Sequence, residues 1–348
     1  MMTIDARLAA FGIAIAASCA LAMSAHAQST ADMAQYSGPD RTQRLIEGAK
    51  KEGAVTVYSS AVVADSNAIS DAFTKKYGVT VRLWRGSSED ILRRAVAEAR
   101  GNRYDADIAE TAGTEMEGLD REKLLTEIAS PVFAQLVPQA VVPHRGWVTD
   151  RLSIFTAAYN TTVIHPGDVP KSYDDLLDPK WKGKLGLEAD DANWFMAIAD
   201  RMGEAKALAL FRKITAINGM SLRKGHTLLS NLVVAGEVPL GLTVYGYRVT
   251  ELKHRGAPID GVVLPPGLAL PTGIGAFKKA PHPNAALLFL DFYLTEGERI
   301  MAERGNVPTN RTVQELPPGI SFVDVAQFLD QEDKWTKLFK QTFAGGGP

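Results

Sequence analysis

The chain has 348 residues and a single cysteine, Cys19. No disulfide can form within it, and no cysteine-based metal centre can be assembled. A chain of this length buries a sufficient core without covalent staples, so the lack does not exclude an oxidising compartment. An excess of either charge is also missing. The formal net charge is −2, with no Lys/Arg-rich stripe and no nucleic-acid motif, so nucleic acid is not an expected partner. Past the first residues no apolar run reaches membrane-spanning length, and no membrane insertion is expected. Nothing in the pattern calls for an oligomer; a monomer is expected.

Enzyme signatures are absent too. The chain contains no G-x-G-x-x-G, Walker loop, G-x-S-x-G or H-E-x-x-H. Ser221-Leu222-Arg223-Lys224 fits S-x-x-K but lacks its companion motifs. The histidines His144, His165, His226, His254 and His282 show no metal-ligand spacing and are expected to be surface or structural residues. Glu115 with Glu117, and Asp190 with Asp191, could supply paired carboxylates. Solvated helix ends or loops are the simpler reading of both pairs.

Residues 1–27 form an export-signal pattern. Arg7 is a short positive region, Leu8 through Ala22 an apolar stretch, and Ala25-His26-Ala27 a small-x-small cleavage site, placing cleavage after Ala27 and the mature protein in the periplasm. Cys19 lies inside this segment, and Ala16-Ala17-Ser18 before it lacks the large aliphatic residue of a lipoprotein site.

Short β-rich runs alternate with helical patterns beyond the signal, which indicates an α/β fold with parallel sheets covered on both faces. Ala54–Tyr58, Val79–Trp84 and Asp107–Ala109 read as strands; Asp65–Tyr77 and the Ile91, Leu92, Ala95, Val96, Ala99 series read as helices. The chain changes lobe at Leu152–Tyr159, and again where Val262-Val263-Leu264 runs into Pro265-Pro266-Gly267. The expected layout is lobe–insert–lobe: 28–150 plus 265–310 in the first lobe, 151–264 plus 311–348 in the second. One large doubly wound domain is the alternative.

Small hydroxyl residues mark the strand-to-helix junctions. Ser59 and Ser60 follow the first strand, Ser87 and Ser88 precede a helix, and Thr111 follows the third strand. Ligands of open α/β sheets settle outside the carboxyl ends of the strands, where amides and helix dipoles suit an anion. Ordinary N-capping is the competing account of the same serines.

These segments resemble the iron(III)-type periplasmic solute-binding proteins. Val57-Tyr58-Ser59-Ser60, Lys76-Tyr77-Gly78-Val79, Ala158-Tyr159-Asn160, Ser172-Tyr173-Asp174-Asp175-Leu176 and His282-Pro283-Asn284-Ala285-Ala286 carry the likeness. Asp178-Pro179-Lys180-Trp181-Lys182-Gly183-Lys184 is its most specific piece. The resemblance implies an α/β, two-lobed type II periplasmic binding protein with a ligand cleft and two crossover strands. It further implies an ABC importer's solute-binding component that closes about a hinge and delivers its ligand to an inner-membrane permease. A periplasmic sensor subunit, or an enzyme on the same fold, are the alternatives.

The family's ferric site transfers incompletely. Val244-Tyr245-Gly246-Tyr247-Arg248 stands where ferric-binding members carry Y-Y-x-Y-R, so Val244 replaces the first tyrosine. The histidine expected near Ala61-Val62-Val63 is missing. Two ligands follow: Fe(III), or a ferric complex, held by Tyr245 with a synergistic anion, or a small organic or phosphorus-containing anion. Ser59, Ser60, Ser87, Ser88 and Thr111 would bind from the first lobe and Asn193, Trp194, Tyr245 and Arg248 from the second. Asn160 and Thr272 lie near the crossovers, Tyr247 is expected to pack, and Trp181 is expected to be structural.

Overall fold

The computed structural model describes residues 30–344. The signal pattern and its cleavage point after Ala27 lie outside the described residues.

The strands are β1 (Ala54–Ser59), β2 (Thr80–Arg85), β3 (Ile108–Ala112), β4 (Val148–Asn160), β5 (Leu185–Glu188), β6 (Ser221–Arg223), β7 (Leu240–Tyr245), β8 (Ile259–Val262), β9 (Gly267–Ala276), β10 (Val307–Pro308) and β11 (Ile320–Phe322). They run in the order β2-β1-β3-β9-β4-β7-β5-β6, with β8 and β10 on β4 and β11 on β9. The first-lobe end pairs β1 in parallel with β2 and β3. The second-lobe end pairs β5 in parallel with β6 and β7.

Two passages connect the lobes. β4 pairs with β9 through Val148–Ile154 and with β7 and β8 through Phe155–Asn160, so one strand crosses between them. The chain returns from β8 to β9 through Leu264-Pro265-Pro266. β9 (Gly267–Ala276) is longer than the sequence pattern suggests. Pro271-Thr272-Gly273-Ile274-Gly275, which carries no strand pattern, lies inside it. Its glycines serve close packing. A Cβ at Gly273 would stand 2.4 Å from the Trp147 ring, and one at Gly275 would stand 2.9 Å from the Gly146 carbonyl.

Aromatic packing fixes the helices to each end of the sheet. Phe73, on the inner face of helix Val63–Tyr77, meets Phe289 and Phe292 of helix Pro283–Phe292 at ring separations of 5.1 and 5.4 Å. The former helix stops at Gly78, whose φ of 71° is a left-handed turn that glycine adopts without strain. In the second lobe, Trp194, Phe195 and Phe211 pack with Phe343 of the last helix, Glu332–Phe343. That helix presents Trp335, Phe339 and Phe343 at four-residue spacing, one apolar stripe. Trp181 is buried and its indole N–H donates to the Asp175 carbonyl at 2.9 Å, a structural role as expected.

The C-terminal segment does not stay on one side. Ile320–Phe322 pairs with β9 at the first-lobe end, and Arg121 of the first lobe bonds the Ala326 carbonyl and Asp330. Residues after 332 pack on the second lobe. A boundary at 310 therefore misplaces residues 311–324, because β11 completes the ladder beside β9.

Candidate functional site

A cleft of about 770 Å³ opens between the two ends of the sheet, beside β4 and β9. Its walls are the carboxyl ends of parallel strands and the helix starts that follow them. On the first wall stand Ser60 after β1, Ser87 and Ser88 after β2, and Thr114 and Glu115 after β3. On the second stand Glu188 and Asp191 after β5, His226 after β6, and Tyr245 and Tyr247 at the end of β7. Arg151, Ser153 and Thr272 of the crossover strands form the floor.

The first wall sets hydroxyls and helix starts beside the acids Asp65, Glu89 and Glu115. Ser87 caps helix Ser88–Arg100: its hydroxyl accepts from the Asp90 N–H at 3.1 Å, and Asp90 accepts from the Ser87 N–H in return. The capping account of Ser87 is correct, and the same residue still reaches the cleft. Helix Gly113–Arg121 has no such cap, since Ala112 precedes it and offers no side-chain acceptor. Within its first turn the Glu115 amide bonds that residue's own carboxylate, and the amides before it face the position where a helix start favours an anion. Gly113 permits this placement; a Cβ there would stand 2.9 Å from the Pro271 carbonyl. Burial pushes the Glu115 carboxyl up to about 7, opposed by a hydrogen bond from its own backbone N–H and reinforced by the charges of Glu89 and Glu332.

The second wall concentrates acids and rings. Burial pushes the Asp191 carboxyl up to about 7, opposed by His226 and reinforced by Glu188. The His226 and Tyr245 rings lie 3.9 Å apart, tilted by 31°, and Tyr245 and Tyr247 stack at 5.9 Å. Burial, then the charge of Asp191, holds the Tyr245 hydroxyl well above its ordinary range, so a free phenolate is disfavoured. Arg248 pairs with Glu251 through Nη1, while its buried Nε has no partner. On the floor, Arg151 is compensated by Glu110 and Asp150 and donates to the Tyr293 hydroxyl at 3.0 Å.

The cleft brings together Ser60, Ser87, Ser88, Asn193, Tyr245, Arg248 and Thr272 of the expected residues. Four do not reach it. Ser59 is buried against Glu110 and Ser66, with its hydroxyl also accepting from the Ala61 N–H. Thr111 is fully buried because β3 runs on to Ala112, three residues past its expected end; Thr114 takes the cleft position instead. Asn160 ties down the end of helix His226–Ala235, donating to the Val233 and Val234 carbonyls at 3.0 and 2.9 Å. Trp194 faces the core among Tyr173, Phe195 and Phe211, because Asn193 takes the outward position at the start of its helix.

Glu188, His226, Arg151 and Tyr247 were not expected here, and Asp191 reads in the sequence as solvated. The signal for Glu188, Asp191 and His226 was present. Each follows a parallel strand, the rule applied to the first-lobe serines, but β6 is only three residues long and carries little strand pattern.

Two α/β lobes, two crossovers and a cleft between strand ends make this a type II periplasmic binding protein. The chain belongs to the bacterial extracellular solute-binding protein family, whose pattern it matches over residues 58–300. By that membership it is a solute-binding protein and not an enzyme. An Fe(3+)-binding periplasmic protein of Serratia marcescens is 24% identical over 242 residues, 66% of this chain and 71% of the relative. A putative 2-aminoethylphosphonate-binding periplasmic protein of Salmonella typhimurium is 28% identical over 264 residues, 70% of this chain and 75% of the relative. The crystal structure of iron-bound HitA from Pseudomonas aeruginosa aligns with a TM-score of 0.70 at 23% identity, over 83% of this chain and 99% of that one. That likeness establishes the shared fold. Among the described residues no helix is long and apolar enough to cross a membrane.

Proposed function

We propose that this protein captures a small anion bearing a phosphonate, phosphate or carboxylate group and hands it to an inner-membrane permease. The observation that carries this reading is the uncapped start of helix Gly113–Arg121, opening on the cleft beside Ser60, Ser88 and Thr114. Amides and hydroxyls there offer directional donors without bulk, and Arg85 adds positive charge to that wall. The anion would seat on the first wall, and hinge closure would bring Asn193, Tyr245 and Arg248 against it. The phosphonate-binding relative is consistent with that ligand class.

A thermal-shift screen of phosphonates, sugar phosphates, small carboxylates and ferric citrate tests the reading. A ligand at ~100-fold over its Kd adds about 2.7 kcal/mol of stability. No stabilisation by any of these classes contradicts it.

A ferric ligand is the second reading, favoured by Tyr245 lying beside Asp191 and His226. Val244 is fully buried and supplies no oxygen, so Tyr245 would need exogenous anions to complete the shell. A ferric–phenolate site gives a visible charge-transfer band that Tyr245→Phe removes; a colourless protein in ferric citrate counts against it.

Export with cleavage after Ala27 belongs to the same proposal. Mass spectrometry of a periplasmic fraction should find Gln28 at the N-terminus, and an intact Met1 there contradicts it.

A further inference from the structure

The second wall gathers ligand-bearing side chains that the anion reading leaves unused. Glu188 ends β5, Asp191 precedes helix Ala192–Met202, and His226 opens the helix after β6. β5 and β6 are adjacent and parallel, so their carboxyl ends deliver all three to one place. One donor atom from each lies within 4.8 Å of the others.

Each group is held from behind and left open in front. The His226 Nδ1–H donates to the Thr243 carbonyl at 2.9 Å, which fixes the ring. In the neutral ring the Nε2 lone pair then faces Asp191 Oδ1, 3.4 Å away. Such an arrangement, with Nδ1 anchored to a backbone carbonyl, orients an imidazole for a metal. The Glu188 oxygens accept from the Asp190 and Gly225 N–H groups at 2.6 and 2.8 Å, and each keeps a lone pair. Asp191 is 4% exposed, and its Oδ2 has no hydrogen-bond partner. The nearby ammonium of Lys224 is turned outward, 3.6 Å from Asp190 and 84% exposed, and does not serve the cluster. A buried carboxylate with Oδ1 facing the imidazole Nε2 and Oδ2 without a partner is, beside a neutral ring, an arrangement that a cation satisfies.

We propose that Glu188, Asp191 and His226 form a binding site for a divalent first-row metal ion such as Zn²⁺. The donor set is one imidazole and two carboxylates with no thiolate, which suits such an ion. Donors about 2.1 Å from zinc stand about 3.4 Å apart in a tetrahedron. The cluster therefore contracts by at most about 1.4 Å on loading. A fourth position stays open toward the cleft, where an oxygen of a bound anion completes the shell. The inference deepens the proposed function and rests on that cleft being the solute site: the second lobe would hold the metal and the first lobe the anion.

The test uses the EDTA-stripped mature protein, titrated with Zn²⁺ alone against a competing chelator. One equivalent should bind. Asp191→Asn and His226→Gln should each weaken it by at least about 100-fold, since even the outer partners of such ligands are worth 10–100-fold. His254→Gln, elsewhere on the second lobe, should leave it unchanged. Melting temperatures of the metal-free variants show that they fold. No Zn²⁺ uptake, or uptake that both substitutions leave intact, overturns the site. Anion binding measured in EDTA separates the two proposals: anions bound without any Zn²⁺ uptake would refute the metal site and leave the solute reading standing. If Asp191→Asn instead abolishes binding of amino-substituted anions and Zn²⁺ is never taken up, the cluster holds a ligand ammonium and the metal assignment is wrong.

Discussion

The two walls of the cleft are built by the same rule and carry different side chains. On both, a parallel strand ends, a short loop follows, and a helix begins. The first wall fills those loops with Ser60, Ser87, Ser88 and Thr114, and leaves the start of helix Gly113–Arg121 uncapped. The second fills them with Glu188, Asp191, His226 and Tyr245, and Glu188 already occupies the Gly225 amide at the start of the next helix. The fold thus fixes where the ligand goes. The loop residues decide what each wall offers: hydroxyls on the first, carboxylates, an imidazole and phenols on the second.

The largest expected effect separates wall from core. Trp194→Ala should cost about 3–5 kcal/mol of stability, the range for a large aromatic removed from a packed interior. Asn193→Ala, one residue away, should leave the melting temperature nearly unchanged and weaken ligand binding. Equal effects of the two on binding alone would return Trp194 to the wall. Next come the hydroxyls. Ser60→Ala and Thr114→Ala should each weaken anion binding by about 1–3 kcal/mol, the cost of leaving a buried partner unpaired, with little change in apo stability. Ser87→Ala should do both, since it also removes a helix cap worth about 0.5–2 kcal/mol. Denaturant titrations beside calorimetric binding curves distinguish these patterns.

The smallest effect is a pH dependence. Glu115 titrates near 7 because it is buried, so it becomes neutral as pH falls and stops repelling an anion on its own wall. Affinity for a sulfonate or carboxylate ligand, which keeps its charge in this range, should therefore rise about three- to ten-fold from about pH 8 to pH 6, one pKa unit being a factor of ten. Glu115→Gln should flatten the profile. Asp191 titrates in the same range, so any slope remaining in that variant is assigned by Asp191→Asn.

Most of the fold was legible in the residues. Strand runs such as Val55-Thr56-Val57-Tyr58 and the glycine stop at Gly78 reflect local patterns that packing preserves. What escaped reading came from long-range packing. β9 looks like a loop because Gly273 and Gly275 make room for Trp147 and the Gly146 carbonyl. Helix phase sent Asn193 to the cleft and Trp194 to the core. Thr111 and Ser59 were one strand residue too early to reach the cleft, and Asn160 was taken up by a helix end. His226 has no metal-ligand spacing because its partners come from a neighbouring strand, and adjacency in a sheet is invisible in a list of intervals.

A crystal structure of the protein with a stabilising anion tests the account most directly. The anionic group should lie on the first wall, within hydrogen-bond distance of Ser60 or Ser88 and of the amides that begin helix Gly113–Arg121, with Asn193 and Tyr245 closed over it. An anion that touches neither those hydroxyls nor those amides, or one bound outside the cleft, would contradict it.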